Sequence, residues 1–251
     1  MNAKRILTVV VGALLAAGMG ESPSRASAPA LAPMPTGLET QYALSALPAA
    51  LREQASVYLL DPAKGYALAR QGTNGLTCVV ERTQWEVKEF RDDVYIPLCY
   101  DAVGTKAHLK VIMDTAALRA RGMDAAAIHA EVLARYQNKT YAAPEKTGVS
   151  YMVAPVMRAP GPPDMQVHTM AMPHTMVYAP NVTNEDIGAA PDLARPATLH
   201  SPFIDRQGIG EQSYVIQMVG ESEKAEILSA EKDLVAALCT YRALLCLEHH
   251  H

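Results

Sequence analysis

Ten of the chain's 17 prolines fall between residues 144 and 202, at positions 144, 155, 160, 162, 163, 173, 180, 191, 196 and 202. Proline inside a helix removes a backbone donor and its ring clashes with the carbonyl four residues back, so this stretch admits no long helix. It must be built from strands and ordered loops, and long ordered loops in a compact domain are frequent carriers of function.

The flanks read differently. Val57 to Asp61, Tyr66 to Arg70 and Leu76 to Arg82 are short β-rich runs separated by the turns Pro62-Ala63-Lys64-Gly65 and Gly72-Thr73-Asn74-Gly75, the pattern of antiparallel meander strands. Tyr95 to Cys99 and Lys106 to Met113 continue it. In the latter, Ala107, Leu109, Val111 and Met113 share one face and Lys106, His108 and Lys110 the other, which makes His108 a solvated strand residue. Leu38 to Arg52 reads as a short helix. Asp114 is placed to N-cap another that stops at Gly122, and Asp124 to cap a longer one running to about Gln137, with Ile128, Val132, Leu133 and Tyr136 buried. Glu223 to Leu245, capped by Ser222, is the last helix, with Leu234, Val235 and Leu238 inward. Helices that follow strands without βαβ alternation indicate an α+β fold: an antiparallel sheet of meander strands packed with two or three helices in a single domain.

The chain opens with Lys4 and Arg5, followed by an apolar run from Ile6 to Ala17. That run is too short for a bilayer, which needs about 20 residues, and reads as a cleavable secretory signal ending near residue 30. Residues 31–37 read as a flexible leader, residues 38–246 as the domain, and residues 247–251 as an expression tag. The expected location is therefore secreted or periplasmic, with no integral membrane segment once the signal is removed. The formal net charge of −4 holds no basic excess, which argues against nucleic acid and anionic membrane surfaces as partners.

In an oxidising compartment an even set of cysteines usually pairs. Three connectivities of Cys78, Cys99, Cys239 and Cys246 are possible, and proximity in sequence favours Cys78 with Cys99 and Cys239 with Cys246. The second pair carries a condition. Seven residues of α-helix rise about 10.5 Å, whereas bridged Cα atoms lie about 4.4 to 6.8 Å apart. The last helix must break near Cys239 and fold back. No Cys-x-x-Cys is present, which leaves cysteine zinc and thioredoxin-type sites without support.

The proline-rich segment also holds half of the 12 methionines, at 152, 157, 165, 170, 172 and 176, around the repeat His168-Thr-Met170-Ala-Met172-Pro-His174-Thr-Met176. In an extended chain His168, Met170, Met172, His174 and Met176 project from one face, so that face is almost entirely soft or borderline donor atoms. Thioether and imidazole ligands favour Cu(I) over hard cations. His-x-Met pairs of this kind resemble copper-binding segments of some secreted and periplasmic copper proteins. An economical site takes His174 with Met172 or Met176 and a distant ligand, for which His200 is the obvious choice. The competing readings are a methionine-lined core or organic-ligand pocket, and Pro173 bears on the choice. If the chain turns there, His168 and His174 part onto different strands. Three functions follow: a secreted copper-binding protein, a secreted metal-assisted hydrolase or oxidoreductase, or a non-catalytic binding module of the cell envelope. Their ligand is a metal ion or a small molecule.

Overall fold

The computed structural model describes residues 31–247, and the expected signal segment and residues 248–251 of the expected tag lie outside the described residues. The turn at Pro62 to Gly65 folds β1 (Ser56–Asp61) onto β2 (Gly65–Arg70). Gly65 sits at φ 100°, a conformation that glycine adopts without a Cβ penalty. β3 (Thr77–Glu81) then returns beside β1 in parallel, with Ser56 opposite Thr77, a pairing absent from a simple meander. β4 (Ile96–Tyr100) pairs antiparallel with β3, and Cys78 faces Cys99 in register. Both strands are buried along their length, so they read as apolar runs without alternation.

From β4 the sheet continues through strands of the proline-rich half: β5 (Val149–Met152), β8 (His174–Tyr178), β10 (Tyr214–Met218) and the short edge strand β9 (Phe203–Asp205). The order is β2-β1-β3-β4-β5-β8-β10-β9, and every contact except β1 with β3 is antiparallel. β6 (Met157–Gly161) and β7 (Gln166–Met170) form a separate two-stranded ribbon. No helix of two turns lies between residues 144 and 202, as the prolines require. The domain is α+β and mostly antiparallel.

Helices cover the sheet at several places: α1 (Thr36–Ser45), α2 (Ala49–Arg52), α3 (Ala102–Gly104), α4 (Lys110–Ala120), α5 (Ala125–Gln137), α6 (Glu221–Ala230) and α7 (Lys232–Tyr241). This exceeds the two or three expected, because two expected single helices are broken and one expected strand is helical. Lys106 to Met113 is not a strand. Thr105–Leu109 is a π-helical turn joining α3 to α4, and Asp114 lies inside α4 rather than at its start. The helical run is capped where α3 begins, by Asp101, whose Oδ1 accepts from the Val103 and Gly104 N–H groups and from the Tyr178 hydroxyl, while its Oδ2 accepts from Val149 N–H. One carboxylate thus ties the helix entry to β5 and β8. Asp124 caps α5 through Ala127 N–H, and Ile128, Val132 and Tyr136 are its buried stripe.

The C-terminal helix is interrupted at Glu231 between α6 and α7, begins at Glu221 after Gly220 rather than from a Ser222 cap, and ends at Tyr241. Arg242 is extended, at φ −145° and ψ 122°, which reverses the chain and brings Cys246 to Cys239 with Cα atoms 4.3 Å apart. Both expected disulfides are present. Residues 31–35 do not stand clear of the domain. Met34 is 7% exposed within the cluster of α1, α7, Cys78 and Cys99, and the Tyr241 hydroxyl donates to the Pro33 carbonyl.

Candidate functional site

Pro173 ends the extended run, and the soft-donor face is divided. His168 and Met170 belong to β7 in the ribbon, whereas His174 and Met176 belong to β8 in the main sheet. His168 is partly exposed and its Nε2 lies 2.6 Å from Asp164 Oδ1. His174 is 4% exposed, and its Nδ1–H donates to the Met172 carbonyl at 2.7 Å. Burial holds its pKa below the ordinary imidazole value, against the opposing pull of that bond and of Asp205. Met176 is 1% exposed and packs with Met152, Met157, Tyr178 and Tyr214, while Met170 and Met172 lean on the same cluster. His200 is exposed in the loop after a short 3-10 turn. Most of the methionine face is therefore core or core margin. Among the described residues, no three His, Cys, Asp or Glu side chains gather in a way that could hold an ion.

The sequence pattern missed a polar interior region around His108, Glu81 and Glu86. The π-helical turn aims His108 into the sheet, where it is 2% exposed. Its ring centroid lies 4.8 Å from that of Tyr214, 4.9 Å from Tyr178 and 5.9 Å from Tyr100, with which it stacks. Neither ring nitrogen has a hydrogen-bond partner. Burial pushes its pKa down to about 4, with Asp101 opposing, so the ring is neutral at pH 7. A chamber of about 10 Å³ adjoins it, and Glu81 and Glu86 line the same space. Burial raises the carboxyl pKa of both. Glu81 stands well above the usual range, with Glu86 adding repulsion, and Glu86 reaches about 7, with Asp205 adding to its rise. Glu86 Oε2 is buried without a partner. Gln212 closes one side, its Nε2 donating to the Tyr136 hydroxyl at 2.7 Å. Gly208 lies over Trp85 and Glu86 at φ 86°, where a Cβ would meet Trp85 Cη2 at 2.8 Å and Glu86 Cγ at 2.8 Å. The side chains come from positions 81–86, 100–112 and 207–214, so no local motif announces them.

On the outer face of the same helix entry lies a groove of about 360 Å³. Val103, Ala107, Ala143 and Pro144 supply apolar walls, Lys106, Lys110 and Lys146 supply ammonium groups, and Glu145 adds one carboxylate, so cations outnumber anions three to one along the lining. Lys110 is engaged by Asp114 at 2.8 Å. Asp114 Oδ2 also accepts from Arg135 Nη1 and from the Tyr141 hydroxyl, which fixes the groove floor. Lys106 and Lys146 are exposed. The segment Thr105–Leu109 therefore presents His108 inward and Lys106 outward, and π-turns of this kind recur at functional sites.

Among the described residues no helix is long and apolar enough to cross a membrane. No family model, no curated protein and no solved structure matches the chain.

Proposed function

We propose that this chain is a non-catalytic binding module of the cell envelope, secreted or periplasmic, whose methionine-rich segment is core. Its ligand surface is the groove between residues 102–110 and 140–146. The observation that carries this reading is the division of the donor set at Pro173, which commits His174 and Met176 to the interior of the main sheet and leaves His168 on the ribbon. The groove supports the second half of the reading. Its volume falls within the range of about 300–1,000 Å³ usual for small-molecule sites. Apolar walls beside Lys106 and Lys146 suit a small molecule with an apolar body and one carboxylate or phosphate group. Two disulfides agree with an oxidising compartment.

The test is calorimetry with butyrate and with inorganic phosphate, on wild type and on Lys106→Ala/Lys146→Ala. Binding of either probe that weakens about tenfold in the variant, on the order of 1.4 kcal/mol, supports the reading. Absence of binding to both probes refutes the groove assignment. Cu(I) affinity tighter than micromolar, lost in His174→Ala, refutes the assignment of the methionine face and restores the copper reading of His168, Met170, Met172, His174, Met176 and His200.

A further inference from the structure

The chamber beside His108 goes beyond that reading and stands independently of the groove. Three observations meet there. The space of about 10 Å³ admits one occupant the size of a water molecule. His108, 2% exposed, lines it with neither ring nitrogen bonded to protein. Glu86 lines it with a buried carboxyl oxygen in the same condition. Polar atoms buried away from water are paired in the great majority of cases, by protein or by ordered water, so two unpaired residues around one space point to an occupant.

We infer that this chamber is a built site for a single internal water, which bridges the His108 imidazole to the Glu86 carboxyl group within a wall completed by Tyr100 and Tyr214. The chemistry of the wall selects the occupant. A neutral imidazole offers one acceptor and one donor, and a carboxyl group offers an acceptor and, when protonated, a donor. One water can pair with the ring nitrogen that faces the chamber and with the carboxyl group together, as donor or acceptor to each, and a bridging water is nearly as favourable as a direct bond. The Tyr100 and Tyr214 hydroxyls lie 3.5 Å apart, a separation at which each retains hydrogen-bonding capacity for a third group. An ammonium ion has the same size, but it brings only donors, so it fits one imidazole tautomer alone and cannot accept from a protonated carboxyl group, whereas water serves either tautomer and either carboxyl state. The charged and titratable groups around the site are Glu81 on β3, Glu86 on the following loop, Tyr100 on β4, His108 on the π-turn, Tyr178 on β8, whose ring packs on that of His108, and Tyr214 on β10. Asp101, Tyr136 and Asp205 act on them from the next layer. Bridged in this way, His108 and Glu86 form one proton-sharing unit inside the sheet–helix interface.

Oxygen-17 relaxation dispersion of the solvent counts long-lived internal waters directly. Wild type should show one more than His108→Phe, which removes both ring nitrogens and keeps the aromatic contacts. Equal dispersion amplitudes in the two proteins overturn the assignment. Nitrogen-15 spectra of wild type alone give a second reading that needs no folded variant. The unprotonated ring nitrogen of His108 should resonate upfield of a bare lone pair, as a hydrogen-bond acceptor does, and a bare-lone-pair position overturns the bridge. Melting in ammonium chloride and in sodium chloride of equal ionic strength separates the two possible occupants. Identical midpoints support water, and a rise specific to ammonium overturns it.

Discussion

Replacing His174 by alanine separates a core histidine from a ligand. His174 lies in β8 with Met152 of β5 opposite on one side and Met218 of β10 on the other, so the backbone around it is held from both flanks and cannot collapse far. Loss of the ring leaves a cavity in a close-packed region. Truncations of Leu or Met in such places cost about 2 to 5 kcal/mol, and an imidazole, being partly polar, falls near the lower end. The Met172 carbonyl also loses its donor, which adds about 1 kcal/mol. The expected loss is therefore about 3 kcal/mol. Urea unfolding followed by the fluorescence of Trp85, the single tryptophan and a buried one, measures it. The midpoint should fall by roughly 1 to 2 M urea at an unchanged slope. In parallel, neither protein should hold Cu(I) more tightly than micromolar. A loss below about 1 kcal/mol accompanied by disappearance of a tight copper site would refute the reasoning.

Cys78→Ala/Cys99→Ala opens a loop with a sequence separation of 21 and should cost about 3 kcal/mol on the chain-entropy model; denatured wild type should show no reactive thiol, and two or more would contradict the pairing. Met34→Ala should lower stability by about 2 kcal/mol because Met34 is packed in the core, and an effect within scatter would return residues 31–37 to the status of a leader. Asp114→Asn weakens bonds to Lys110, Arg135 and Tyr141 and should cost about 1 kcal/mol, moderated by solvent at this partly exposed position. The chamber makes stability depend on pH with opposed signs. Folded Glu86 holds its proton to about pH 7 while the unfolded chain releases it near ~4.3, so its contribution is fully present at low pH and is lost as pH rises through 7. His108 is the reverse: the unfolded chain takes up a proton near ~6.5 and the folded one only near 4, so its contribution is present above ~6.5 and is lost as pH falls toward 4. Between pH 4.5 and 6.5, Glu86→Gln should therefore make the slope of stability against pH more positive by up to ~1.4 kcal/mol per unit, and His108→Phe more negative by a similar amount. Parallel slopes in wild type and both variants would exclude the chamber as their source.

The elements that sequence revealed are those fixed by local rules. The Pro62 to Gly65 turn and the Asp124 cap each involve residues within a few positions of one another. Cys239 with Cys246 followed from helix rise alone. The segment Lys106 to Met113 misled because strict alternation and helical spacing coexist in it. Val111, Ile112, Thr115, Ala116 and Leu118 form the stripe that α4 buries, and length decides between the two periods, since no glycine or proline interrupts residues 105 to 121. Asp101 was the available signal for the helix start. The soft-donor face is divided at one proline, whose turn places its halves in different sheets. The chamber was invisible because β3, the π-turn and β10 meet only through long-range topology.

The bond between Tyr241 and Pro33 closes the described chain almost into a ring, with α1 and α7 in one cluster. That closure orders events during synthesis. Among the described residues, the first helix has no partner for one side until the last one leaves the ribosome, so that side of α1 waits, exposed, through translation of residues 46 to 231. The Cys239–Cys246 link, local and formed last, then locks the reversal at Arg242 that seats α7. A release of the chain some 20 residues early would leave every strand made and this cluster open, and such a fragment should be the species that binding proteins for nascent chains retain.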